Sequence, residues 1–196
     1  VLANFRCYRQ LDLTLPCGTV VVSGRNAQGK SSLLEAIYVL ATTRSPHAAS
    51  DRDLIHWADE TEPLPFARVW GEVHRAGGSD TVEVVAVLQP TESEPGDRRL
   101  TRRARVNGAE RRALDVIGTL NVVLFTPRDL QIVDGGPVER RRYLDVLRCQ
   151  VDHAYCLALA RYNKAVTQRN HLLRRLRDRG GDQGAGCGIG TNDQLP

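Results

Sequence analysis

The apolar positions of the first forty residues fall into short runs separated by polar turns. Residues 1–6 and 11–15 are predicted as short strands, with a turn over 5–10 between them. The β-branched run at 19–23 predicts a buried strand. From residue 31 to 42 the apolar positions recur at helical spacing, which predicts a helix. The positions that carry this stripe are Leu33, Leu34, Ile37, Tyr38 and Ala41.

The period of the pattern changes to two in the middle of the chain. Residues 44–65 are polar and predict a loop with one helical turn near 51–57. From 66 to 106 apolar and polar residues alternate, and Asn107 with Gly108 is a hairpin signal, so a small antiparallel β-subdomain is predicted at about 66–106. A second buried strand is predicted at 122–125.

The last third of the chain reads as helix. Pro137 favours a helix start, and the pattern continues to about Arg177 with a bend expected near Gln150. The glycine-rich segment 180–190 predicts a flexible tail. The predicted organisation is therefore an N-terminal lobe at 1–135 that contains the β-subdomain, a helical arm at 136–179 and a tail at 180–196.

Composition adds three expectations. No apolar run reaches the length of about 18 residues that a membrane span needs, and no signal-peptide pattern opens the chain, so no membrane association and a cytoplasmic location are expected. The chain contains no methionine, which indicates a fragment of a longer protein. The net charge is +4, and of the 27 basic residues only Lys30 and Lys164 are lysines. A GC-rich coding sequence accounts for such an arginine bias, so arginine clusters must be judged by position.

A phosphate-binding motif lies between the predicted strand at 19–23 and the helix at 31–42. Residues 24–31 match the pattern G-x-x-x-x-G-K-[ST] in full. Its glycines let the backbone approach phosphate, Lys30 is expected to reach the β- and γ-phosphates of ATP, and Ser31 is expected to ligate Mg²⁺. The residues predicted to bind nucleotide here are Gly24, Arg25, Asn26, Ala27, Gln28, Gly29, Lys30, Ser31 and Ser32.

Catalytic carboxylates do not accompany this motif. Hydrolysis needs an acidic group for the metal and another to orient water, usually at the end of a later apolar strand. The strand predicted at 122–125 is followed by Thr126 and Pro127 instead. No catalytic residue is predicted within the chain.

Two arginine clusters are candidates for DNA phosphate contacts. One opens the long helix, where pairing with Glu139 and Asp145, or packing against another lobe, is the alternative explanation. The other lies on a strand of the β-subdomain, where a solvated face is equally compatible. The candidate DNA-binding residues are Arg140, Arg141, Arg142, Arg103 and Arg105.

Several short motifs, in order over about residues 1–176, resemble the RecF family. They include Phe5-Arg6-Cys7-Tyr8, the stretch from Leu33 to Tyr38, Val106-Asn107-Gly108, the stretch from Phe125 to Leu130, and the stretch from Arg140 to Asp145. The resemblance implies an α/β fold, namely a P-loop NTPase of the ABC-ATPase head type (SMC/RecF) with an antiparallel β-subdomain and a helical arm. It also implies that Arg6 lies near the nucleotide.

The same resemblance implies a function. RecF-like proteins bind ATP with Mg²⁺, bind single- and double-stranded DNA, form ATP-dependent homodimers and act with RecO and RecR. They assist RecA loading at single-stranded gaps and support DNA replication, recombinational repair and the SOS response. The family's signature motif and acidic metal-binding strand are missing here, so the chain is expected to be an N-terminal fragment of an ABC-type ATPase that is nearly inactive alone. The alternatives are another SMC-like ATPase associated with a nuclease, a small-molecule P-loop kinase, and a scaffold that only binds nucleotide.

Overall fold

The computed structural model of the chain describes residues 1–48, 50–56, 64–90 and 98–181. These form two compact units, Val1–Cys156 and a second one that begins at Leu157. The strands are β1 (Leu2–Phe5), β2 (Tyr8–Leu11), β3 (Phe66–Arg75), β4 (Gly78–Pro90), β5 (Arg98–Val106) and β6 (Ala109–Arg111). The helices are α1 (Lys30–Thr42), α2 (Ala113–Val116), α3 (Gln131–Asp134), α4 (Pro137–Val151) and α5 (His153–Gly181), and single 3-10 turns lie at Asp51–Leu54 and Pro127–Leu130.

The described strands form one antiparallel sheet in the order β2-β1-β3-β4-β5-β6. The alternation in β4 places Val82, Val84, Ala86 and Leu88 on one face, where they are buried. The same core contains residues of α1 and α2, so one face of the sheet packs against helices. The predicted antiparallel β-subdomain is confirmed.

Close packing between α1 and β3 depends on a glycine. An added Cβ at Gly71 would lie 2.9 Å from Cδ1 of Leu40, which is too close for two carbon atoms. The absence of a side chain at Gly71 therefore lets α1 lie directly on the sheet. Since α1 begins at Lys30, this contact also fixes the position of the phosphate-binding motif.

The predicted N-terminal hairpin is displaced. The turn takes only Arg6 and Cys7 rather than 5–10, and the second strand is Tyr8–Leu11 rather than 11–15. Arg6 has a φ of 54°, in the left-handed region that tight two-residue turns require. Its N–H donates to the carbonyl of Leu54 at 2.8 Å, which offsets part of the conformational cost.

The two segments predicted as buried strands, 19–23 and 122–125, are not strands. Several of their apolar side chains are open to solvent, with Val21 84% and Val123 71% exposed. A β-branched sequence favours extended backbone, but a strand forms only when a neighbour accepts its hydrogen bonds. The described strands pair only within the antiparallel sheet, so neither segment has such a neighbour among them.

A glutamine side chain holds the second of these segments in place. The Oε1 atom of Gln150 accepts a hydrogen bond from the Val122 N–H at 2.6 Å, and its Nε2 donates to the Val122 carbonyl at 3.1 Å. Gln150 is only 6% exposed. Its amide therefore satisfies the backbone groups that a neighbouring strand would otherwise bind.

The long helix is interrupted at Asp152, as the bend expected near Gln150 predicted. Asp152 adopts an extended conformation, and its Oδ1 accepts a hydrogen bond from the Tyr155 N–H at 3.0 Å, which caps the start of α5. Of the described helices, none is both long and apolar enough to cross a membrane.

Candidate nucleotide-binding site

The loop between residues 24 and 29 folds through several left-handed backbone conformations. Gly24, Ala27 and Gly29 have φ values of 153°, 63° and 91°. Glycine adopts such values without strain, and the single methyl of Ala27 is the smallest side chain that can replace it. Turns of this kind bring successive N–H groups to one concave side of the backbone, which is the geometry that binds phosphate.

Lys30 lies across this loop. Its Nζ atom donates hydrogen bonds to the carbonyl oxygens of Gly24 at 2.8 Å and Arg25 at 2.7 Å. Lys30 is also the first residue of α1, whose first turn contains no acidic residue and whose N-cap, Gly29, makes no side-chain capping bond. The ammonium group and the uncapped N–H groups of the helix start therefore concentrate positive charge at the loop.

Ser31 follows in the first turn of α1 with an exposed side chain. No hydrogen bond of its hydroxyl is formed with the described residues, which leaves both oxygen lone pairs for a ligand. Within the described ranges no group of three histidine, cysteine or acidic residues has a geometry suited to a metal ion. Ser31 is thus a candidate metal ligand that would share its ion with the phosphates of a nucleotide.

The turn between β1 and β2 covers the end of the loop. The Tyr8 hydroxyl donates to the Gly29 carbonyl at 3.2 Å, and the Cys7 thiol lies 3.9 Å from Oγ of Ser32. Burial raises the pKa of Tyr8 above its ordinary value, which keeps its hydroxyl protonated over a wider range of alkaline pH. An added Cβ at Gly29 would lie 2.7 Å from both Cys7 Sγ and Tyr8 Oη, so a larger residue would displace this turn.

Arg6, which the family resemblance places near the nucleotide, forms a partly buried ion pair. Its Nε and Nη2 donate to Oε2 and Oε1 of Glu35 at 3.0 and 2.7 Å. Glu35 is only 4% exposed, and it also accepts a hydrogen bond from the Ser45 hydroxyl. Ser45 in turn accepts from the N–H groups of His47 and Ala48. The cluster joins the β1–β2 turn, α1 and the loop after α1.

Sequence reasoning missed Glu35, Ser45 and Tyr8 as members of this site. A usable signal existed for Glu35, which stands among apolar residues of α1, because a buried glutamate is rarely without a charged partner. Nothing in the periodicity marks Ser45 or Tyr8, since their partners lie 10 and 21 residues away.

The two candidate DNA-binding clusters lie on different elements. Arg140, Arg141 and Arg142 are exposed in the first turns of α4, and none forms an ion pair with a described residue. Asp145, a partner in the alternative explanation of this cluster, instead accepts a hydrogen bond from the Tyr155 hydroxyl at 2.6 Å. The α4 arginines are thus exposed cations with no partner in the described part of the chain.

A cavity of about 240 Å³ lies beside the α4 arginines. Arg142 and Tyr143 line it from α4, Tyr38 from α1, and Asp129 from the turn before α3. Burial raises the pKa of Tyr38, and the charge of Arg142 opposes this effect. Arg142 therefore lies across this cavity from Tyr38 of α1, whereas Arg140 and Arg141 do not line the cavity.

The second cluster, Arg103 and Arg105, is exposed on β5. Arg105 forms an ion pair with Glu83 on β4 at 3.2 Å, and Glu83 also binds Arg68 on β3 at 2.6 Å. Arg103 forms no such pair with the described residues.

Comparisons with known proteins show what the chain is similar to. Residues 1–86 match the family model described as AAA domain. The DNA replication and repair protein RecF of Chloroflexus aurantiacus is 46% identical over 179 residues, which cover 90% of this chain and 46% of that protein. RecF of Roseiflexus castenholzii is 47% identical over 180 residues, with the same coverage.

A solved structure agrees with these relatives. The recombination mediator protein RecF with ATP, of the RecFOR pathway, superposes with a TM-score of 0.73 at 29% identity, over 96% of this chain and 45% of that one. The chain thus spans less than half the length of the relatives it matches. The resemblance and the fold class predicted from the sequence are confirmed: the chain is similar to RecF proteins over about 90% of its own length and has the α/β fold of a P-loop, ABC-type ATPase head.

Proposed function

We propose that this chain binds the phosphates of ATP in the loop at 24–31 and forms the nucleotide-binding part of a RecF-type ATPase that acts on DNA. The observation that carries the proposal is the position of Lys30, whose ammonium lies against the Gly24 and Arg25 carbonyls at the start of α1. When a nucleotide phosphate enters the loop, the Lys30 ammonium can leave these neutral carbonyl oxygens for charged phosphate oxygens, which bind an ammonium more strongly.

The other residues of the loop have distinct roles in this proposal. The N–H groups of residues 24–32 contact the β-phosphate, and Ser31 ligates Mg²⁺ together with phosphate oxygens. Magnesium would supply charge neutralisation at the phosphates. Arg6 uses two of its five N–H donors on Glu35, which leaves three for the nucleotide while the ion pair fixes its orientation.

The chain is proposed to hydrolyse ATP poorly by itself. The loop at 24–31 offers a site for phosphate, whereas within the described residues no group of three or more histidine, cysteine, aspartate or glutamate side chains could hold a metal ion. In the proposed complete protein, ATP brings two heads together, the signature contact comes from the second copy, and hydrolysis separates the heads again. The lobe at 1–135, the arm at 136–179 and the tail at 180–196 remain our proposed organisation.

The names of the relatives support the biological role. RecF proteins are called DNA replication and repair proteins, and one solved RecF is assigned to the RecFOR pathway. We extend these roles to this chain: binding of single- and double-stranded DNA, action with RecO and RecR in the cytoplasm, RecA loading at single-stranded gaps, and support of the SOS response. These names favour a repair ATPase over a small-molecule kinase or a nuclease-associated ATPase.

A direct test compares two lysine variants in ATP binding. Lys30→Ala removes charge-assisted hydrogen bonds, each with a contribution of about 1.5–3 kcal/mol, so the Kd for ATP should rise about 10- to 150-fold. Lys164→Ala, on the exposed surface of α5, is the matched control and should leave the Kd unchanged. Equal Kd values for the wild type and Lys30→Ala, measured by calorimetry with Mg²⁺ present, would reject the proposed phosphate site.

A further inference from the structure

The face of the sheet that points away from the core has an unusual composition. The register places Trp70, Glu83 and Arg105 in one row across β3, β4 and β5, and Arg68, Val85 and Arg103 in the next row. Phe66, Val87 and Thr101 form a third row. Because side chains alternate along a strand, all of these lie opposite the buried residues Val69, Val84 and Ala104.

Helices cover the other face. The α1 and α2 helices contribute Val39, Leu40 and Val116 to the core, on the side of Val84. The apolar residues of the outer face, Phe66, Trp70, Val85 and Val87, are only half-buried. Two aromatic rings and two valines thus form a partly exposed apolar strip along β3 and β4, which is interrupted by Arg68 between the two rings and by Glu83 beside Trp70.

Arginines border this strip on β5. The side chains of Arg99 and Arg103 are exposed, and their guanidinium groups form no ion pair or hydrogen bond with the described residues. Arg68 and Arg105 share a single carboxylate, Glu83, whose side chain is 13% exposed while theirs are 44% and 48% exposed. The acidic group in the centre is therefore largely covered by guanidinium groups, and cations dominate what a ligand meets.

We propose that this outer face, which we call the β3–β5 face, binds single-stranded DNA. Bases would stack on Trp70 and Phe66, and phosphates would contact Arg99 and Arg103. The inference rests on the proposed DNA-binding function. It places the site for single strands at the arginines of β5, here Arg99 and Arg103, and not at the α4 arginines.

The arrangement favours a single strand over a duplex. Aromatic side chains stack on the faces of bases, and these faces are accessible only when the bases are unpaired. Arg99 and Arg103 are four residues apart on one strand, about 13 Å, so they follow the same direction as the aromatic strip on β3. A nucleic acid strand lying along the β-strands can therefore place bases on one side of the face and phosphates on the other.

Tryptophan fluorescence tests the stacking. The sequence contains two tryptophans, Trp57 and Trp70, so a Trp57→Phe background leaves Trp70 as the reporter. Titration with a 20-nucleotide oligothymidine should quench this emission, while the matching duplex at equal concentration should not. A second assay uses fluorescently labelled oligothymidine as the reporter in place of Trp70. In it, Trp70→Ala should raise the Kd for the oligonucleotide about 5- to 150-fold, the range expected for the loss of one base stack. Absence of quenching, or equal quenching by the duplex, overturns the proposal.

The salt dependence tests the arginines. Each phosphate contact to a single strand makes the slope of log K against log salt more negative by about 0.7, so Arg99→Gln with Arg103→Gln should reduce the magnitude of that slope by about 1.4. Arg140→Gln with Arg141→Gln on α4 is the matched control and should leave it unchanged. An unchanged slope in the β5 variant, or an equal loss in the α4 variant, contradicts the assignment. Circular dichroism confirms that each variant folds.

DNA binding by the β3–β5 face and ATP binding by the loop at 24–31 can be tested independently of each other. All titrations are run without nucleotide, and the fluorescence experiment is repeated on Lys30→Ala. Quenching by oligothymidine with no effect of Lys30→Ala on ATP binding rejects the nucleotide proposal and supports the β3–β5 face. Loss of ATP binding in Lys30→Ala without any quenching of Trp70 rejects the face alone.

Discussion

The ion pair between Arg6 and Glu35 gives the sharpest prediction about the site. Glu35→Gln keeps the shape of the side chain and one oxygen acceptor, but it removes the charge and turns the second oxygen into a donor. Arg6 donates to both oxygens of Glu35 at 3.0 and 2.7 Å, so the variant loses one charge-assisted hydrogen bond and weakens the other. Such a bond contributes about 1.5–3 kcal/mol.

Burial sets where in this range the effect should fall. Glu35 is 4% exposed, so water cannot replace the lost contact on its side. The Arg6 side chain is 24% exposed, so water can hydrate part of the guanidinium. We therefore expect a loss of about 2–3 kcal/mol in the free energy of unfolding, below the 3–5 kcal/mol of a fully buried pair.

Urea denaturation followed by circular dichroism measures this loss as a lower midpoint with an unchanged slope. The matched control is Arg75→Gln, which breaks the partly exposed ion pair with Asp80 and should cost at most about 1 kcal/mol. The same samples should show weaker ATP binding for Glu35→Gln, because Arg6 loses its fixed orientation. A midpoint equal to that of the control would refute the role assigned to the buried pair.

Two further predictions concern residues outside the loop. Gln150→Leu should destabilise the chain by about 1–3 kcal/mol in urea denaturation, because the N–H and carbonyl of Val122 lose their partners; a stability equal to the wild type would contradict this role. Burial raises the pKa of Cys149 to about 12, so little of its reactive thiolate is present at pH 8. Its reaction with Ellman's reagent at that pH should therefore be much slower than that of exposed Cys17, and its rate should rise as the pH approaches 12. Equal rates for single-cysteine versions of the two sites at pH 8 would contradict the burial of Cys149.

Local sequence signals predicted a large part of this fold. The alternation at 66–106 and the hairpin at Asn107 and Gly108 led to the correct antiparallel strands, because these signals depend on neighbouring residues. The start of α1 at Lys30 and the break at Asp152 were close to their predicted positions for the same reason.

The errors and omissions involve contacts between distant residues. The strand propensity at 19–23 was real, but whether a strand forms depends on partners that local sequence does not specify. The amide of Gln150 reaches Val122 across 28 residues, and Arg6 reaches Glu35 across 29. Such contacts have no period, so only the buried position of Glu35 within an apolar helix offered a sequence-level signal.

We propose above all that the loop at 24–31 binds the phosphates of ATP through Lys30. Phosphorus NMR of ATP, titrated with the chain in the presence of Mg²⁺, observes those phosphates directly. With the wild type, the β- and γ-phosphorus resonances should shift and broaden more than the α resonance, and Lys30→Ala should largely abolish the change. Unperturbed β and γ resonances with the wild type, or identical changes with Lys30→Ala, would contradict it.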